Sequence, residues 1–204
     1  MLDIENKMVR RIRAEGAGWC FTPGDFADFG GKSAVWTALH RLAKRGTIRR
    51  LAQGIYDFPK THAELGVLSP VPEVVMQALA RERKIRVQST GSYAANLLGL
   101  SEQVPARIVF LTDGAPRRIR IGNQEIVLRR TTPRNMATAG RISGTVIQAL
   151  RYIGKNRITP AHCQILARRL NASDKKQVYK DRLYAPEWIR RLMEEIAGEG
   201  SSHA

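Results

Sequence analysis

Cysteine is nearly absent from this chain, with two in 204 residues, and aromatic side chains make up only 6%. Cys20 and Cys163 are too few and too far apart for a disulfide framework, and no CxxC or HxxxH spacing offers metal ligands. Both are expected to pack as small hydrophobes in a reducing cytoplasm. No apolar run approaches the ~18 residues of a membrane span, and no signal-peptide pattern opens the chain, so a cytoplasmic protein without membrane contact is expected. No GxGxxG stands between a strand and a helix, and no glycine-rich lysine loop or nucleophile elbow occurs. His162 adjoins Cys163 without a third ligand nearby and reads as structural. Neither an enzyme, a cofactor nor a metal is expected. Acidic residues are also scarce. Eighteen Asp+Glu stand against 34 Lys+Arg, a net charge of +16 that points to a polyanionic partner. The excess is spread out, with 11 basic and 7 acidic side chains before residue 71 and 23 and 11 after it.

The first sixty residues carry helix signals in a recognisable order. Ile4, Met8 and Ile12 recur every four residues, so a helix over Leu2 to Glu15 is expected, ended by Gly16. After an extended Trp19-Cys20-Phe21, Thr22-Pro23 opens a short second helix through Phe26 and Phe29. Gly30-Gly31 turns the chain, and Ser33 is expected to cap a third helix stopped by Gly46. At ~100° per residue, Val35, Ala38, Leu39, Leu42 and Ala43 share one side of that helix. Ser33, Trp36, Thr37, His40, Arg41 and Lys44 share the other. Strands Ile48–Leu51 and Ile55–Phe58 then flank a turn at Ala52-Gln53-Gly54. Helix, turn, helix and basic hairpin together spell a winged helix-turn-helix. In this reading Ser33, Trp36, Thr37 and His40 face base edges, and Lys32, Arg41, Lys44, Arg49 and Arg50 face phosphates, with Gln53 at the wing tip. Helix–helix–hairpin units also serve as protein docking modules, and Trp36 suits a packing role equally.

Residues 59–71 read as a linker, so domains are expected over 1–68 and 69–204. The second domain begins with a helix over Pro72 to Arg83, a strand Ile85–Gln88 and a helix Ser92–Leu98 stopped by Gly99. The apolar run Ile108–Leu111 fits a buried strand ending at Asp113-Gly114. Arg117–Ile121 and Gln124–Leu128 flank the two-residue turn Gly122-Asn123. Counting outward pairs Arg120 with Glu125 and puts Ile119, Ile121 and Ile126 on one face, with Arg118, Arg120 and Arg129 on the other as a second basic surface. A helix from Ser143 places Val146, Leu150 and Ile153 on one stripe. Thr159-Pro160 caps a helix toward Leu170, Asp174 caps a lysine-rich one, and Pro186 opens a last helix with Trp188, Leu192 and Ile196 on one face. Gly198 to Ala204 is expected to fray. The class is α+β: a winged helix-turn-helix followed by a mixed domain with a helical C-terminal extension.

One enzymatic alternative uses Asp113 and Glu125 as the carboxylates of a metal-dependent nuclease. Against it, Val127 stands where that pattern expects a lysine, and an arginine partner already accounts for Glu125. An RNA-binding accessory role lacks an aromatic stacking pattern on the strands.

The stretch Ser89-Thr90-Gly91-Ser92-Tyr93-Ala94-Ala95-Asn96-Leu97-Leu98-Gly99-Leu100-Ser101, with Gln103-Val104-Pro105-Ala106 and Val109-Phe110-Leu111-Thr112-Asp113-Gly114, resembles the AbiEi-type antitoxins of type IV toxin–antitoxin systems. Arg41-Leu42 through Gly46, Ile48, Arg50 and Gly54-Ile55-Tyr56 resemble that family's winged domain. The likeness spans roughly residues 5–155. It implies a winged domain that binds repeats in the promoter of its own operon and represses it. It also implies a C-terminal domain that counters a nucleotidyltransferase-type toxin, without requiring direct contact. No catalytic residue is carried over, and Asn96 to Leu100 read as helix end and core. The alternative is a stand-alone winged-helix regulator without a toxin.

Overall fold

A computed structural model of the chain describes residues 4–103 and 105–198, so part of the expected C-terminal fraying, residues 199–204, lies outside the described residues. The chain forms an α+β fold of two compact units. One runs to Ile85 and takes in Ile119–Asn123; the other holds Arg86–Arg118 and the chain from Gln124 onward. The boundary therefore falls after Ile85 rather than at residue 68.

In the first unit, α1 (Ile4–Glu15) buries Met8 and Ile12, as its four-residue spacing requires. β1 (Cys20–Phe21) leads to Thr22, whose backbone N–H donates to Asp25 Oδ2 at 2.8 Å. That capping box starts a single 3-10 turn, Pro23–Phe26, so the expected second helix is shorter than its sequence signal. Arg11 holds the following turn, reaching Asp28 with two bonds of 2.9 and 2.7 Å and lying 4.0 Å from the Phe29 ring centroid. α2 (Lys32–Lys44) buries Val35, Ala38, Leu39 and Leu42, the expected seam. β2 (Arg49–Ala52) and β3 (Ile55–Asp57) form a hairpin about Gln53-Gly54, and β1 joins its other side in the order β1-β3-β2. Phe21 and Phe26 pack edge to face at 5.4 Å in the core. The expected linker is partly built. β4 (Thr61–His62) and β5 (Gly66–Val67) make a small exposed ribbon. α3 (Pro72–Arg83) belongs to this unit, with Arg81 donating to Cys20 O at 3.1 Å.

β6 (Val87–Ser89), β7 (Arg107–Thr112), β8 (Arg117–Ile121) and β9 (Gln124–Arg130) form a sheet in the order β6-β7-β9-β8, and all of it but Ile119 to Ile121 of β8 belongs to the second unit. β9 inserts between β7 and β8, parallel to β7. α4 (Gly91–Leu97) and α5 (Ile142–Ile153) pack on one another, and α6 (Pro160–Arg169), α7 (Ala172–Asp181) and α8 (Glu187–Ala197) extend their core through Leu166, Val178, Ile189 and Met193. The cap of α7 is Asn171, not Asp174. Asp174 sits three residues later and completes the capping box. The last helix buries Ile189, Met193 and Ile196, while Trp188 and Leu192 pack at its margin. Asp181, 1% exposed, accepts from Arg141 at 2.7 Å, from Gln177 at 2.7 Å and from Ser143. Among the described residues no helix is long and apolar enough to cross a membrane.

Candidate nucleic-acid interface

α2 turns a mixed polar face to solvent. Lys32, Ser33, Trp36, Thr37, His40, Arg41 and Lys44 are all exposed, because the seam opposite them fills the core. Ion pairs of this unit include Arg11–Asp28, Arg45–Glu5, Arg49–Asp57 and Arg81–Asp25. None of them uses that face.

The start of α2 differs from expectation. Its N-cap is Gly31, with no side-chain cap bond, and Ser33 lies in the first turn instead of ahead of it. Gly31 takes the extended conformation, and its carbonyl accepts the first helical bond from Val35 N at 3.1 Å, so the cap lies two residues before the one the sequence suggested. The first turn holds no acid, which leaves backbone N–H groups beside Lys32 and the Ser33 hydroxyl. A cleft of about 500 Å³ opens here, lined by Pro23, Gly24, Lys32, Trp36 and Glu82 among others.

The hairpin separates two adjacent arginines. Arg49 pairs in register with Asp57, gripping its carboxylate through Nε at 3.1 Å and Nη2 at 2.6 Å, and also donates to Leu68 O at 3.0 Å. Asp57 is 1% exposed. A buried carboxylate needs that cation, so Arg49 braces the hairpin and is not held out toward phosphate as expected. Its pKa is raised by the bond to Asp57. Arg50 is exposed and pairs in register with Tyr56 on the hairpin. Gln53 is exposed at the tip, where Gly54 has φ +74. A Cβ on Gly54 would meet Trp36 Cη2 at 3.9 Å, so Trp36, 41% exposed, lies beside the hairpin turn, a contact in line with its packing alternative. The Cys20 thiol is pushed up to about 12 by burial, with the Asp57 charge adding to it.

On the four-stranded sheet, Arg118 and Arg129 are exposed, as is Arg120 near the hairpin tip. The partner of Glu125 is not Arg120. Parallel pairing sets Arg107 opposite Glu125, and its guanidinium reaches the carboxylate at 3.3 Å, with Arg118 at 3.9 Å on the other side. Nothing local in the sequence announces this, because the β7–β9 pairing is nonlocal. Sequence reading therefore missed Arg107, Arg117 and Arg130. These line, with Arg118, Arg129 and Val127, a cleft of about 590 Å³.

The nuclease pair is not assembled. Arg107 lies beside Glu125, and Asp113 is six residues farther along the same strand direction, roughly 20 Å at a strand's rise per residue. Asp113 instead caps the Arg86 backbone N–H at 2.8 Å and accepts from its guanidinium at 2.8 Å, which lowers its pKa. No group of three or more His, Cys, Asp or Glu suited to a metal occurs among the described residues. His162 Nδ1 accepts from the Thr159 backbone N–H at 3.0 Å, so it closes a helix cap.

A model of a family of unknown function, DUF6088, matches residues 7–178. The chain belongs to that family. No curated protein matches it. Among solved structures, the RV2827C protein from Mycobacterium tuberculosis is similar at a TM-score of 0.43 and 13% identity, over 98% of this chain and 76% of that one. A likeness that loose says nothing of what this DUF6088 chain binds.

Proposed function

We propose that the protein is a cytoplasmic, sequence-specific DNA-binding repressor in which α2 reads the major groove and the β2–β3 hairpin is the wing. The observation that carries this reading is the α2 face: Ser33, Thr37 and His40 offer donors and acceptors between Lys32, Arg41 and Lys44, and none of them is spent on an internal ion pair. Arg50 and Gln53 extend it along the wing, and the uncapped start of α2 suits a backbone phosphate. Binding, not catalysis, is its work, and no cofactor is needed. The resemblance of residues 89–114 to AbiEi-type antitoxins makes it the antitoxin of a type IV system, repressing its own operon and countering a nucleotidyltransferase toxin without a required complex.

The test is a mobility-shift titration on the DNA upstream of its gene. Thr37→Ala with His40→Ala is expected to erase the preference for that DNA over a scrambled duplex, by about 1–3 kcal/mol per lost base contact, while binding to the scrambled duplex persists. An unchanged preference overturns the assignment of α2. Co-expression with the neighbouring nucleotidyltransferase tests the second half. Failure to relieve its growth arrest leaves a stand-alone regulator.

A further inference from the structure

The most exposed large apolar side chains described in the first unit gather around its smallest sheet. Leu65 is 73% exposed, Val67 57% and Val71 55%, all within seven residues. Every residue from Lys60 to Val67 is exposed, and among the described residues no third strand pairs with β4 or β5. The ribbon is tied at its base, where Leu68 N donates to Lys60 O at 2.8 Å and Arg49 Nη2 donates to Leu68 O. Thr61 stands opposite Val67, one step along the ladder from Lys60 and Leu68. Hydrogen-bonded and non-bonded pairs alternate along an antiparallel ladder, so Thr61 and Val67 turn their backbone N–H and C=O groups outward. β5 therefore offers an open edge at Val67. No charged residue lies between Leu65 and Val71, and Pro70, which has no N–H, limits an added ladder to the residues before it. The four-stranded sheet is treated differently. Its edge strand β8 carries Arg117, Arg118 and Arg120, the kind of charge that keeps a strand edge from pairing. A lone two-stranded ribbon is marginal in water, and one with exposed apolar side chains gains by adding strands.

From this we infer that β5 pairs with β5 of a second copy of this chain, antiparallel about a two-fold axis at Val67. A continuous four-stranded ribbon, β4-β5-β5-β4, results. Val67 exchanges its outward N–H and C=O bonds with its own counterpart, and the two β-branched side chains lie against each other. Charge selects this edge for a second copy. Two chains of +16 repel one another, and the stretch from Leu65 to Val71 lets them meet with no cation opposed to a cation. The β4 edge suits the contact less, since Lys60 adjoins it and His62 lies on it. A contact of the same patch on both copies closes at two. Its small area makes the dimer reversible. The inference does not depend on what α2 contacts.

Sedimentation equilibrium of the full chain from about 5 µM to about 500 µM, in ~0.3 M salt to screen the net charge, reads the association. A monomer–dimer equilibrium is expected. Val67→Lys puts a lysine on both strands at the axis, with Cα atoms about 5.5 Å apart, and is expected to weaken the dimer about tenfold or more. Thr61→Lys adds the same charge on the outer strand, where the two copies lie roughly 14 Å apart, and should stay within about threefold of the unmodified protein. Both positions are exposed, and melting temperatures check that the variants stay folded. A covalent reading comes from cysteine. Under mild oxidation Val67→Cys is expected to form a linked dimer about tenfold faster than Thr61→Cys, because only the Val67 positions come within disulfide reach. The native Cys20 and Cys163 are buried, with thiols pushed up by burial, and do not compete. A chain that stays monomeric throughout that range overturns the inference and leaves the edge to an extended segment of another protein. Association that survives Val67→Lys, or falls equally with Thr61→Lys, overturns it too, as does equal linking at the two cysteine positions.

Discussion

Two basic surfaces of this protein are made differently. On α2 the cations Lys32, Arg41 and Lys44 are interleaved with Ser33, Thr37 and His40, side chains that can both donate and accept. On the sheet of the second unit the cations are all arginines, around one carboxylate and an apolar floor. Mixed donors and acceptors suit the varied edges of bases, while clustered guanidiniums suit anionic oxygens through paired N–H donors. The supports differ as well. α2 rests on an aliphatic seam, and the neighbouring hairpin is held by the ion pair of Arg49 with the buried Asp57. The sheet lies in a unit that contains a close approach of strand and helix at Gly144.

That difference can be broken at its supports. A Cβ on Gly144 would stand 2.5 Å from Thr138 O and nearer still to Gln88 Oε1, with backbone on one side and a buried amide on the other. Gly144→Ala is expected to destabilise the protein by about 3 kcal/mol in urea unfolding, without altering any residue of the α2 face. An effect within error would mean that this approach relaxes freely. Next in size is the hairpin brace. Asp57→Ala strands the Arg49 guanidinium, a third exposed, and is expected to cost about 2 kcal/mol, a value discounted for that exposure. Arg49→Met on that background should restore part of the loss. If the single variant is as stable as the parent, Arg49 is not a brace.

A smaller effect concerns acid. The Arg86 backbone and guanidinium hold Asp113 below the usual carboxylate range, so its contribution is complete above about pH 4 and is lost as pH falls through the lowered value. Asp113→Asn removes that contribution, and its stability should fall less than the parent's between about pH 5 and pH 3. Parallel pH curves would contradict the pairing. Smallest of all is the thiol response. Cys20 is buried and pushed up to about 12, and burial raises Cys163 too, so neither should react with a disulfide reagent at neutral pH until the chain is unfolded. Rapid labelling of the folded protein would show that one of these sites opens.

Much of α2 was legible because its cause is local: apolar spacing alone assigns its buried seam and hence its solvent face. The hairpin turn Gln53-Gly54 and the stop at Gly99 were legible for the same reason, a short-range conformational demand. The fate of Arg49 was not. It and Arg50 are the same residue type side by side, and only a partner eight residues away, itself sealed from water, makes one a brace and leaves the other free. The cap of α2 also escaped, since a serine two residues on gives a stronger sequence signal than Gly31. Arg107 and Arg130 were invisible because an apolar strand and a basic strand end become neighbours only through parallel pairing.

By itself the sequence determined the excess of positive charge, the order of helices and strands, and which side of each amphipathic helix is buried, because these follow from composition and from periodicities a few residues long. Only the tertiary structure decided which arginines are drawn onto carboxylates, as Arg49 and Arg107 are, and where the two compact units divide. Those outcomes depend on contacts between residues far apart in the chain, which no local pattern encodes.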